Sequence, residues 1–219
     1  MPSFTPSTAG IGNAFFHQLS FAQALAEDFE PFDYIVAHGV YTWVNADVRA
    51  EVTAFIQCYL KPGGLAYISY NTMPGKAAIL PVQKLVSELG AQAPGSAAQR
   101  VLSAFDGVGT LQQLGARALN DKEAVATLMA SIAEEDPRYL AHEYLHAAWE
   151  PRYSIDVARE MAAAGTEFIG SATLFANDDR FLLNPQQQAY VNSFEDINQR
   201  ELVKDFMLDV PFRRDVFAR

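Results

Sequence analysis

Cysteine is nearly missing from this chain, with Cys58 the single one among 219 residues. No intrachain disulfide can form, so a reducing, cytoplasmic setting is the expectation, with the thiol packed on the apolar side of its helix. Positive charge is also scarce, with 16 Lys and Arg against 26 Asp and Glu and a formal net charge of -10. General binders of nucleic acid or anionic membrane need a basic patch to displace counterions, and the cluster Arg213, Arg214 and Arg219 is too small to be one. No nucleic-acid or membrane partner is therefore expected. No stretch reaches the roughly 18 apolar residues of a membrane span. Met1–Gly12 has neither the basic start nor the apolar centre of a secretory signal and reads as a disordered lead or a loop. Gly10 and Gly12, in AGIGN, follow no apolar strand and open no helix, so they read as loop and not as a phosphate-cradling turn.

Half of the residues are hydrophobic, enough for a sizeable core in one larger domain or two small ones. The most organised stretch is Phe32–Gly75. Tyr34–Val40 is a short apolar run suited to a strand covered on both faces. Asn45 is placed to cap a helix in which Val48, Val52, Phe55, Ile56, Tyr59 and Leu60 make one stripe. Lys61-Pro62-Gly63-Gly64 stops that helix, and Leu65–Tyr70 is a second apolar run. Strand, helix, strand in that order implies a parallel crossover, one unit of an open α/β sheet.

The wording of that unit, FDYIVAHGVYTWV followed by a helix and KPGGLAYISYNTMPG, resembles the fourth strand, next helix and fifth strand of class I S-adenosylmethionine-dependent methyltransferases. PRYLAHEYLHAAWEPRY and the closing PFRRDVFAR resemble the bacterial branch that carries a methyltransferase regulatory domain. The resemblance spans about Asn13 to Arg219. It implies a partial Rossmann-like methyltransferase sheet with an inserted α-helical regulatory domain, and S-adenosyl-L-methionine as cofactor. In the family a strand equivalent to Asn13–Leu19 ends beside an acidic adenine ligand, and the matching place here is about Ser20. The family's first strand and glycine-rich turn have no counterpart before Asn13, so weak or absent cofactor binding is expected of this chain alone. A sheet begun at its third strand also leaves an open inner edge, and association with a second copy or a partner chain through it is expected.

Residues 1–95 are thus expected to hold the later half of the α/β domain, 96–150 a helical insert, and 151–219 a return to the sheet followed by C-terminal helices. In the insert, Ser96 and Asn120 are candidate caps, and Gly107 and Gly109 interrupt the first helix. Ser154 should cap the helix closed by Gly165. Glu167–Leu174 and Arg180–Leu183 read as a strand pair turning at Asn177-Asp178-Asp179. Asp196–Asp209 reads as a helix with Leu202, Val203, Phe206, Met207 and Val210 inward.

Ligands of open α/β sheets lie outside the carboxyl ends of the strands. That places His38, Gly39, Tyr41, Trp43, Tyr70 and Asn71 at a candidate site. Gly39 admits close approach, Tyr41 or Trp43 offers an aromatic wall to a sulfonium, and His38 or Asn71 is placed to orient or deprotonate a nucleophile. No residue is singled out as catalytic. An alternative is His142-Glu143-Tyr144-Leu145-His146, an HExxH whose histidines at i and i+4 could hold zinc with Glu143 as base, or simply ride on an amphipathic helix. Glu134-Glu135-Asp136 reads as a solvated helix end. Arg213-Arg214 reads as an anion clamp or a surface charge network beside Asp209 and Asp215.

Overall fold

The structure is a computed structural model and describes residues 12–120 and 122–219. The expected lead Met1–Gly12 lies outside the described residues but for Gly12. Asn13–Ser20 is irregular and largely exposed where a strand was expected, and Ser20 instead caps a short helix α1 (Phe21–Ala24), its hydroxyl accepting the Gln23 N–H. A lone segment gains no ladder hydrogen bonds without a neighbouring strand, whereas a serine with Gln three places on closes a capping box locally.

The expected unit follows. β1 (Phe32–Ala37) leads to α2 (Ala46–Tyr59), capped by Asn45 Oδ1 accepting the Val48 N–H, and on to β2 (Leu60–Asn71). β1 and β2 are parallel, and the Lys61–Gly64 segment appears as an irregularity in register between Phe32↔Leu60 and Tyr34↔Leu65. Val52 and Ile56 of α2 are buried against Ala37, Ala66, Ile68 and Tyr70. Burial of each such side chain stabilises by about 1.5–3 kcal/mol. Cys58 points away from this face and is exposed, contrary to the core role expected of it.

The sheet closes differently from expectation. Its order is β1-β2-β4-β3, where β3 is Glu167–Ser171 and β4 is Phe212–Ala218, antiparallel to both neighbours. The final segment is therefore a central strand and not a helical tail. Arg180–Leu183 forms no strand: after Ser171 the chain makes tight 3-10 turns at Leu174–Asn177 and Asp179–Phe181, because Asn177 and Asp178 hold nearby backbone N–H groups with their side chains. The helix α8 (Ser154–Ala163) packs Val157 and Met161 beside α2 on one sheet face. Gly165, at φ +75°, ends it in a left-handed conformation, as expected. The opposite face is open at β1, where Tyr34 and Val36 are 70% and 67% exposed, so β1 is not covered on both sides.

Between β2 and α8 the chain builds a second core. α3 (Leu80–Gln92), α4 (Ala97–Gln113), α5 (Arg117–Asn120), α6 (Glu123–Ser131) and α7 (Pro137–Tyr144) bring together Val82, Val86, Val101, Phe105, Val108, Val125 and Leu140. The break at Ala91–Gly95 lies inside this helical group, and α3 packs on α4 and α7. Ser96 caps α4 in a box with Gln99, but the helix runs through Gly107 and Gly109, its packing outweighing the roughly 1 kcal/mol each glycine costs. Asn120 is not the N-cap of α6, a position taken by Lys122; its amide donates instead to the Gln112 carbonyl in the last turn of α4.

The short α9 (Pro185–Val191) and the longer α10 (Ile197–Leu208) complete the chain before β4. In α10, Leu202, Val203 and Met207 are half-buried, but Lys204 and Asp205 are the fully inward residues and Phe206, expected inward, is 59% exposed. No helix among the described residues is long and apolar enough to cross a membrane.

Candidate functional site

At the carboxyl end of β1 the chain turns outward through His38 and Gly39, both exposed. Gly39 has φ +66°, and the space where a Cβ would stand is free for 4 Å, so its backbone is open to close approach. Its N–H donates to Ser69 Oγ on β2 at 2.8 Å. The same Ser69 oxygen lies 3.3 Å from His38 Nδ1, and Tyr67 OH lies 3.0 Å from that nitrogen, with the His38 and Tyr67 rings stacked at 18°. Tyr67 and Ser69 were absent from the sequence reading. Their signal was there: as alternate residues of β2 they share the sheet face that carries Val36.

The other expected site residues are placed otherwise. Tyr41 is fully buried; its hydroxyl donates to Glu160 at 2.5 Å, and burial, then this bond, raises its pKa. It offers no free aromatic wall. Trp43 stacks on His142 at 4.9 Å, so that ring face is already covered. Tyr70 is buried among the core side chains, its hydroxyl donating to Asp215. Asn71 donates both its backbone N–H and its side-chain amide to Thr42 Oγ1. Of the six, His38 and Gly39 are exposed and Trp43 is half-buried, while Tyr41, Tyr70 and Asn71 are buried wall residues. A chain of ions joins α2, the segment after α7 and α8: Arg49 to Glu150 at 2.7 Å, Glu150 to Arg152, and Arg152 to Glu160 at 2.6 Å.

HEYLH does not form the helical pair that zinc binding would use. α7 ends at Tyr144, so His146 falls beyond it, and both imidazoles pack on Trp43. Among the described residues no group of three His, Cys, Asp or Glu is placed to hold a metal ion. Glu143 is half-buried, which raises its carboxyl above the usual range. Asp136 is a solvated cap of α7, held down at about 2 by Arg138.

Arg213 and Arg214 part company because neighbours on a strand face opposite ways. Arg214 is exposed and lies over the Phe212 ring at 5.0 Å. Arg213 is buried and grips Glu201, Asp205 and Asp215 at 2.7–2.9 Å. It is neither an anion clamp nor a surface pair. Burial pushes the Asp205 carboxyl up to about 6 and raises that of Asp215, in both cases against the pull of Arg213. A cavity of about 370 Å³ opens beside this cluster, between α10 and the start of β4.

Residues 136–219 match the family model described as "Predicted methyltransferase regulatory domain". That later part of the chain resembles a methyltransferase regulatory domain. An uncharacterised protein of Synechocystis sp. is 35% identical over 212 residues, 97% of this chain and 42% of that protein. A second, from Rickettsia prowazekii, is 25% identical over 93% of this chain and 36% of its own length. The chain thus spans about two fifths of the length of these relatives. Among solved structures, PKMT2 from Rickettsia typhi in complex with AdoHcy overlays with a TM-score of 0.75 at 25% identity, over 97% of this chain and 41% of that one. The regulatory stretch runs from α7 to β4, so it contains HEYLH and Arg213. The sheet's central strand is thereby part of the regulatory match.

Proposed function

We propose that this chain supplies the acceptor side and the regulatory region of an S-adenosylmethionine-dependent methyl-transfer site, with little or no activity by itself. The observation that carries this reading is the open corner at the carboxyl ends of β1 and β2, where His38 and Gly39 stand free, in a fold that overlays an AdoHcy-bound methyltransferase structure. The cofactor, when bound, supplies an electrophilic methyl group for in-line attack by a nucleophile. Gly39 admits the ligand to the backbone, His38 orients it, and the Tyr41–Glu160 and Asn71–Thr42 contacts hold both loops in place. Association with a second copy through the edge of β1 that is unpaired among the described residues belongs to the same reading.

The regulatory match favours a second reading, a non-catalytic module that acts on a partner. Calorimetric titration with S-adenosylhomocysteine separates the two. Weak, saturable binding that His38→Ala abolishes supports the first. Binding untouched by His38→Ala sinks the assignment of this corner, and a folded chain with no binding at all supports the second.

A further inference from the structure

The hydroxyl of Ser69 is fully buried, and its oxygen already accepts the Gly39 N–H. Its proton still needs an acceptor. Among the described residues the one within reach is His38 Nδ1, 3.3 Å away. Were Nδ1 protonated, the Ser69 proton would be left without a partner, and a buried unsatisfied donor costs about 1–3 kcal/mol. Tyr67, only partly buried, can turn its own proton to water, so it imposes no such demand.

We infer that Ser69 fixes neutral His38 as the Nε2–H tautomer, making it a hydrogen-bond donor toward the ligand and not a base. Deepening the reading given above, this corner takes a ligand atom with a free lone pair, such as a carboxylate, carbonyl or ring nitrogen, and withdraws no proton from it. Ser69 is a positioning residue. The stacked Tyr67 ring sets the plane of the imidazole, and the Nε2 side of this exposed residue is what the ligand meets. A proton lost by the methyl acceptor must then leave by water or by a group outside this corner.

The test is nitrogen-15 NMR of histidine-labelled protein at alkaline pH, with His38 assigned by loss of its signals in His38→Gln. It needs no ligand, so it stands or falls apart from cofactor binding. The wild type is expected to show Nε2 protonated and Nδ1 bare. Ser69→Ala should release His38 to a mixture of tautomers, while Tyr67→Phe leaves the pattern in place. Nδ1 protonated in the wild type, or a pattern unmoved by Ser69→Ala, would overturn the inference. As a second readout, S-adenosylhomocysteine binding kept by His38→Gln, whose amide still donates, but lost in His38→Ala agrees with a donor; loss in both variants contradicts it.

Discussion

Arg213 shows how one buried side chain can organise several elements. Its three nitrogens reach α10 at Glu201 and Asp205 and its own strand at Asp215, which in turn accepts the Tyr70 hydroxyl from β2. Ser154, expected to cap α8, is drawn into the same cluster and donates to Asp205. The carboxyl of Asp205 binds its proton more tightly in the folded chain, at about 6, than unfolded. Its contribution is therefore complete below the unfolded value near 4 and is lost as pH rises through about 6. Asp205→Asn keeps the shape and removes the titration. Its stability relative to wild type should rise between about pH 4.5 and pH 7, read from urea midpoints. A difference flat with pH would contradict the buried-carboxyl assignment.

Among the elements, the loop after β2 matters most because it joins sheet, helical core and β4. Its Thr72 N–H donates to the Pro211 carbonyl, and Gly75 lies so close to Val210 that a Cβ there would stand 2.3 Å from the carbonyl oxygen. Both obstacles are backbone, so neither can swing aside. Gly75→Ala should cost roughly 2–3 kcal/mol, measured by denaturant unfolding. A loss below about 0.5 kcal/mol would show that the loop is looser than drawn. Legibility followed the same division. Asn45, Ser96 and Gly165 were readable because a cap is satisfied within a few residues of chain. Asn120 and Arg180–Leu183 were misread because partners elsewhere, or local side-chain turns, competed for the same backbone groups.

At the scale of the whole molecule, β1 is an outer strand of the sheet among the described residues, and its Tyr34 and Val36 are exposed. Beyond the exposed Lys61–Asp33 pair at its start, the strand's own residues Tyr34–Ala37 carry no charge of the kind that discourages pairing. A dimeric mass by light scattering is expected, reduced to monomer by Val36→Lys, since that side chain is exposed and its replacement leaves the core alone. A monomeric wild type would count against edge association.

Sequence alone was enough to read an open α/β chain resembling methyltransferases, with a β1-α2-β2 unit and its caps, and to offer His38 and Gly39 as a candidate corner. Those features depend on periodicity and on contacts a few residues long. Tertiary structure alone decided that Phe212–Ala218 is a central strand, that Tyr41 and Tyr70 are walls, and that Ser69 stands behind His38. Each of these depends on partners 30 to 145 positions away, such as Gly39 with Ser69 and Tyr70 with Asp215. A charged strand such as FRRDVFA, with Arg213 and Asp215 inside, reads as surface until the buried ions that answer one another are brought into register.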